Sequence, residues 1–159
     1  MSQIRIQERD FSLSDEYELF RRSAGGKAGA IASFVGLVRD TAKEEQVKGL
    51  ILEHYPGMTE KSIEKIVSQS YERWRLLDVL VIHRIGHLRP TDQIVLVLVA
   101  SSHRPDAFAA CEYVMDLLKT EAVFWKKEVQ EKSTVWIEST ADDHSRRDQW
   151  HKTEKVSTR

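Results

Sequence analysis

The chain has 159 residues, with 24 Lys and Arg against 25 Asp and Glu and a net charge of −1. This length suits one well-buried domain rather than two. A balanced charge gives no general attraction to nucleic acid or to an acidic membrane, so we predict neither partner and expect any basic site to be local. No stretch approaches the roughly 20 apolar residues of a membrane span, and the first ten residues lack the apolar core of a signal peptide, so we expect a cytoplasmic protein.

Apolar periodicity and turn residues predict alternating strands and helices in the first half of the chain. In chain order they are a strand at 4–6, a helix capped by Ser12 or Ser14, a strand at 28–38, a strand from Leu50 to Tyr55, a helix capped near Thr59, and a strand at 79–82. The polar segment at 40–46 has no periodicity and is predicted to be a mobile loop.

A run of seven apolar residues at 94–100 predicts a strand covered on both faces. Pro105 suits the first turn of a helix, with Ser102 or His103 as a cap and Lys119 near the far end. Residues 124–129 and 134–138 then predict a hairpin. The order of the elements indicates a single α+β domain over residues 1–140. The polar tail at 141–159 is predicted to hold one or two helical turns within 142–150 and to be disordered over 152–159.

Two cationic clusters flank the predicted helix. At one end, Lys119, Lys126 and Lys127 lie close in sequence to the aromatic pair Phe124 and Trp125, which suggests a pocket for an anion with apolar walls. The alternative is that the aromatic residues are core and the lysines are solvated, since cations commonly extend past apolar neighbours.

At the other end, His103 and Arg104 lie beside the free N–H groups of the helix start, an arrangement suited to a phosphate or carboxylate. Arg39, at the root of the polar loop, is either a further anion ligand or an ordinary surface arginine.

The single cysteine, Cys111, falls in register with the apolar face of the helix and is interpreted as an inert buried residue rather than a nucleophile. His83 and His87 flank Gly86, but no spacing of histidines or cysteines is typical of a metal site. We therefore predict no metal and no cofactor.

Five blocks of sequence together resemble the large, catalytic subunit of molybdopterin synthase. They are the segments 34–39 (FVGLVR), 52–58 (LEHYPGM), 83–86 (HRIG), 102–104 (SHR) and 115–128 (MDLLKTEAVFWKKE). Each block alone is a weak signal, but the five occur in the family's order and spacing and span most of residues 28–138.

The resemblance implies an α/β-hammerhead-like fold with a small additional antiparallel β subdomain. It also implies a homodimer of large subunits within a heterotetramer, in which each large subunit binds a small ubiquitin-like sulfur carrier. The carrier's C-terminal Gly-Gly thiocarboxylate would donate two sulfurs to cyclic pyranopterin monophosphate (precursor Z), forming the dithiolene of molybdopterin.

By the same resemblance, Lys119 and Lys126 are expected to be catalytic. The expected substrate pocket contains these two lysines together with Leu37, Val38, Arg39, His103, Arg104, Lys127 and Glu128. One departure concerns a basic residue that the family carries shortly after its Trp-x-Glu, where this chain has Ser139 and Thr140. Arg146 or Arg147 could replace it from the tail.

Two other functions compete with this interpretation. A non-catalytic subunit that binds a ubiquitin-like partner or an anionic metabolite would need the pocket cations but not Lys119 specifically. A phosphate-ester hydrolase using His103 and Asp106 is the other, although neither a metal set nor a nucleophile elbow accompanies these residues.

Overall fold

The computed structural model describes residues 2–42, 45–130 and 134–154. Its helices are α1 (Leu13–Ala24), α2 (Met58–Arg73), α3 (Arg104–Thr120) and α4 (Ala141–Glu154). Its strands are β1 (Ser2–Gln7), β2 (Ala30–Leu37), β3 (Thr41–Ala42), β4 (Glu45–His54), β5 (Leu76–Arg84), β6 (Gly86–Leu88), β7 (Gln93–Ser101), β8 (Phe124–Gln130) and β9 (Thr134–Ile137). None of the helices in these ranges is both long and apolar enough to cross a bilayer.

The larger sheet has the strand order β1-β5-β7-β2, with β1 parallel to β5 and the other pairs antiparallel. Its central strand β7 is buried on both faces because successive side chains point to opposite sides. Val95, Val97 and Val99 pack in the core that α2 and α3 cover. Leu96 and Leu98 pack in a second core with Phe11 and with Phe20 of α1. The prediction of a strand covered on both faces is confirmed.

The smaller sheet runs β3-β4-β8-β9, and β6 also pairs with β4. Among the described residues its own core is small, consisting of Val38, Leu52 and Leu88 with partly buried neighbours. The predicted hairpin is confirmed as the antiparallel pair β8 and β9. The two sheets and the helices confirm the prediction of an α+β fold with a small antiparallel β subdomain.

The helix starts follow local side-chain chemistry. Ser12 caps α1, and α3 begins after His103 with Pro105 in its first turn, as predicted. In α2 the cap is Gly57, at φ 85°, whose N–H donates to Glu60 Oε2 at 2.6 Å. Thr59 is buried instead, and its Oγ1 accepts the Tyr55 N–H at 2.8 Å.

The C-terminal segment is more ordered than its sequence predicts. A single helix, α4, covers 14 residues rather than one or two turns, and it includes residues 152–154 of the segment predicted to be disordered. Trp150 anchors it: its ring lies 5.5 Å from those of both Trp74 and Tyr113, and its Nε1–H donates to Asp116 at 2.8 Å. Residues 155–159 lie outside the described residues.

The polar segment at 40–46 also differs from the mobile loop predicted for it. Its ends form part of a β-ladder, in which Thr41 pairs with Gln46 and Ala42 with Glu45. The Val47 N–H donates to the Asp40 carbonyl at 2.7 Å, which closes this turn. Residues 43–44 lie outside the described residues.

Candidate active site

A cleft of about 1250 Å³ lies where the end of α3, the small sheet and the start of α4 meet. Its walls combine apolar and aromatic side chains with charged groups of both signs. Those that matter below are Leu37, Arg39, Leu52, Phe124, Trp125, Lys119, Lys126, Glu128, Ile137, Thr140, Asp142, Asp143 and His144.

Lys126 occupies the inner face of the small sheet. In the strand register it lies between Leu52 of β4 and Ile137 of β9, two apolar neighbours. Burial, and secondly the positive charge of Lys119, lower the pKa of Lys126 to about 8, although Asp143 acts in the opposite direction. Close to neutral pH this amine therefore exists in both protonation states, which suits it to moving protons.

Lys119 reaches the same cleft from the last turn of α3. A cation is favoured there by the negative end of the helix dipole. Ser139, just before α4, donates its Oγ–H to the Lys119 carbonyl at 2.6 Å, which ties the end of α3 to the segment leading into α4. Two lysines from different elements thus form a pair at one cleft.

His83 lies beneath the lysine pair. It is 5% exposed, and its ring stacks on Phe124, which itself lines the cleft. Its Nδ1–H donates to the Arg84 carbonyl at 2.9 Å. Burial, and to a smaller extent the charges of Lys126 and Lys119, lower the pKa of His83 to about 3, although the hydrogen bond to Arg84 acts in the opposite direction. The imidazole is therefore neutral and adds no third positive charge.

Asp143 supplies a negative charge from the first turn of α4. Burial alone would raise the pKa of Asp143, but hydrogen bonds with Thr140 and the charges of Lys119 and Lys126 lower it below its usual range. Sequence reasoning missed this residue because it lies in the segment interpreted as a tail. The Thr140-x-x-Asp143 pattern, a helix-start signature, was the available signal.

Five of the nine predicted site residues meet at this cleft: Leu37, Arg39, Lys119, Lys126 and Glu128. The alternative interpretation of the aromatic pair as core residues fits Phe124, which packs against the main core, but not Trp125, which is 51% exposed. Val38 is only 3% exposed and packs in the small core with Leu52. Its predicted contact with substrate stays a prediction.

Lys127 points to the opposite face of β8 from Lys126. Its Nζ lies 3.9 Å from Glu53 Oε1 and 4.1 Å from the ring centroid of Trp136. Lys126 and Lys127 therefore lie on opposite sides of the small sheet, and the predicted contact of Lys127 with substrate stays a prediction.

His103 and Arg104 are exposed at the N-terminal end of α3. Fifteen residues of helix separate Arg104 from Lys119, about 22 Å at 1.5 Å per residue. One copy of the chain therefore does not bring the two predicted cationic clusters together.

Arg146 and Arg147, the suggested replacements for a basic residue after Glu138, are engaged elsewhere. Arg146 pairs with Asp116 at 3.0 Å and with Glu112, which fastens α4 to α3. Arg147 pairs with Asp148 at 2.8 Å. In the described lining of the cleft, the cationic side chains are Arg39 and the two lysines, with His144 beside them.

Cys111 is buried in the core beneath α3, and burial raises the pKa of its thiol to about 11, so the interpretation of an inert residue fits the structure. In the part of the chain that the structure describes, no group of three or more His, Cys, Asp or Glu is placed to hold a metal ion.

The family model of the MoaE protein matches residues 6–121. The chain belongs to this family. It is 52% identical over 147 residues to the molybdopterin synthase catalytic subunit of Vibrio cholerae, covering 92% of this chain and 97% of the relative. It is 51% identical to that of Ralstonia nicotianae, covering 94% and 85%.

Among solved structures, the molybdopterin biosynthesis MoaE protein of Burkholderia ambifaria superposes with a TM-score of 0.81 at 48% identity, covering 95% of this chain and 99% of that one. The likeness to family members therefore extends over the cleft as well as over the central sheet.

Proposed function

We propose that this chain is the catalytic subunit of a molybdopterin synthase. It transfers two sulfurs to precursor Z, one from each of two small ubiquitin-like subunits whose C-terminal thiocarboxylates are left as carboxylates. The observation that carries this function is the pair of lysines, Lys119 and Lys126, in one apolar-walled cleft, with the pKa of Lys126 lowered to about 8.

The pair suits the chemistry of sulfur transfer. Each new C–S bond requires protons to be moved and negative charge on oxygen to be stabilised. Lys126, poised between its two protonation states, can give or take a proton, whereas the exposed ammonium of Lys119 can stabilise the developing charge. The lowered pKa of Lys126 shows that burying its charged amine costs folding free energy. A subunit that only binds its partner would have no need for such an amine.

The cleft also suits an extended anionic tail. Phe124 and Ile137 provide apolar walls beside Lys126, and the lysines provide a counter-charge for a thiocarboxylate. Glycines in the tail would allow close backbone approach, because they carry no side chain. The relatives' name, catalytic subunit, supports the presence of a second, sulfur-carrying subunit. We place the reaction in the cytoplasm, where thiols stay reduced.

The distant position of His103 and Arg104 supports a homodimer of large subunits within a heterotetramer. In this arrangement Lys119 and Arg39 of one copy face His103 and Arg104 of the second. The cyclic phosphate of precursor Z would then be bound by arginines, which make bidentate, charge-assisted hydrogen bonds to phosphate oxygens.

The test is reconstitution. The purified chain, a thiocarboxylated small subunit and precursor Z are combined, and dithiolene product is measured by mass spectrometry. The proposal expects two sulfurs per product and none when the small subunit carries an ordinary carboxylate. Binding of the small subunit without product would favour the non-catalytic function instead.

A further inference from the structure

We propose that Asp143 is a positioning residue for the lysine pair: its carboxylate, fixed at the start of α4, is a counter-charge to Lys119 and Lys126 in the cleft. This inference rests on the proposed function for its purpose, but the charge arrangement can be tested without any turnover. It also assigns a role in the site to a segment that sequence reasoning treated as a tail.

The carboxylate of Asp143 is held by a reciprocal pair of hydrogen bonds. The Thr140 N–H donates to Asp143 Oδ2 at 3.0 Å, and the Asp143 N–H donates to Thr140 Oγ1 at 3.1 Å. These bonds satisfy two backbone N–H groups and leave Oδ1 of Asp143 outside the cap. Asp143 is thereby fixed as a wall of the cleft that Lys119 and Lys126 share.

The segment is anchored at two further points, so the carboxylate does not depend on its cap alone. The hydrogen bond from Ser139 Oγ to the Lys119 carbonyl fixes the chain one residue before Thr140. Downstream, Arg146 pairs with Asp116 of α3. The start of α4 is thus held against the end of α3, the element that presents Lys119.

The groups around Lys126 carry charges of both signs. Lys119 of α3 is positive, and His83 of β5 is neutral because burial lowers its pKa to about 3. Leu52 of β4 and Ile137 of β9, its neighbours in the sheet, are apolar. The other charged or titratable cleft residues are Arg39, Glu53, Glu128, Glu138, Asp142 and His144. Of these groups, Asp143 is the one whose negative charge opposes the lowering of the pKa of Lys126.

Without this carboxylate, Lys126 would lose the negative charge that opposes the lowering of its pKa, and its amine would give up its proton at a lower pH. The enzyme would then present fewer ammonium groups to an anionic tail at neutral pH. Asp143 therefore preserves the mixed protonation that proton transfer requires.

The experiment is an NMR titration of the lysine side chains in ¹³C-labelled protein, with Lys126 assigned through Lys126→Arg. Asp143→Asn removes the charge but keeps an oxygen to cap the helix. Thr140→Ala removes a capping group but keeps the charge. Asp142→Asn makes the same change of net charge one residue away. We expect Asp143→Asn to lower the titration midpoint of Lys126 by about half to one pH unit, because an opposite charge is lost nearby.

Thr140→Ala and Asp142→Asn should move the midpoint much less. The pH dependence of sulfur transfer should shift in the same direction in Asp143→Asn. An unchanged midpoint in Asp143→Asn would overturn the proposal. Equal shifts in Asp143→Asn and Thr140→Ala would also overturn it, by showing that the residue acts through helix structure. Failure of sulfur transfer in the wild type, with the midpoint shift present, would instead count against the proposed function alone.

Discussion

The imidazole of His83 stacks on the ring of Phe124, with 4.0 Å between ring centroids and 22° between ring planes. This contact joins β5 of the large sheet to β8 of the small one. Because burial lowers the pKa of His83 from 6.5 to about 3, the ring is neutral at every pH where the enzyme is expected to work. The junction beneath the lysine pair is therefore an apolar stack rather than an ion pair.

We expect this stack to make the protein sensitive to acid. Between pH 6.5 and 3 the unfolded chain binds a proton at His83 that the native state does not, so the free energy of unfolding falls as the pH falls. In His83→Phe that dependence should be weaker, with the ring contact kept. Urea unfolding at pH 7 and pH 4 measures this, and His87→Phe, at an exposed position, is the control. Identical pH dependence in His83→Phe and the wild type would contradict the burial of a neutral imidazole.

Lys126→Met should stabilise the fold and abolish activity. Because the pKa of Lys126 is lowered, the native state binds fewer protons than the unfolded chain between pH 8 and 10.5. The free energy of unfolding of the wild type therefore rises with pH over that window. Below about pH 8 the native state is destabilised by the full cost of burying the ammonium group. Removing the amine should raise the free energy of unfolding at pH 7 by about 1–3 kcal/mol, and the gain should shrink towards pH 10.5. Lys127→Met, on the opposite face of β8, is the matched control.

Lys119→Ala should abolish sulfur transfer and leave the fold intact, because the side chain is exposed and its backbone carbonyl makes the hydrogen bond to Ser139. We expect at least about a hundredfold loss in single-turnover rate, a usual size for a lost acid–base group. Small-subunit affinity, measured by calorimetry, should change little. Near-normal turnover would remove Lys119 from the mechanism.

Mixing two inactive variants should restore activity. If each site combines Lys119 of one copy with Arg104 of the other, a mixed dimer of Lys119→Ala and Arg104→Ala chains contains one intact site and one doubly altered site. Random exchange of subunits should then recover about a quarter of wild-type activity. No recovery after proven exchange would mean that both residues serve the same copy's site, or that Arg104 serves none.

Cys111→Ala should retain activity. The thiol is buried beneath α3, and the burial that raises its pKa to about 11 leaves almost no thiolate near neutral pH. A loss of about 1 kcal/mol in stability is expected from the small cavity. Loss of turnover in a folded Cys111→Ala protein would point to a persulfide carried by this chain.

The sequence predicted an element correctly where the residues of that element alone carry the signal. The apolar run at 94–100 predicted β7, and Pro105 predicted the start of α3, because burial on both faces and a proline in the first helical turn leave local signals. In α2, Ile63, Ile66 and Val67 recur at the three- and four-residue spacing of one helix face, and all three are buried.

The sequence was less informative where packing between distant residues decides structure. The α4 segment is polar throughout, and its helix depends on Trp150 meeting Trp74 and Tyr113, which lie 76 and 37 residues earlier. The positions of Asp143 and His83 in the site likewise depend on packing between residues that are distant in sequence. The family resemblance supplied Lys119 and Lys126, but only the fold showed that Lys127 faces away and that Arg104 lies at the other end of α3.

The unequal cores of the two sheets bear on how the lysine pair behaves in time. Lys119 extends from a helix packed over the extensive main core, whereas Lys126 lies in a sheet whose own described core centres on three buried residues. Local opening is easier where fewer apolar contacts are lost. We therefore expect the small sheet to open locally while the main core stays folded. Such opening would change the distance between the two amines and widen the cleft for an incoming peptide.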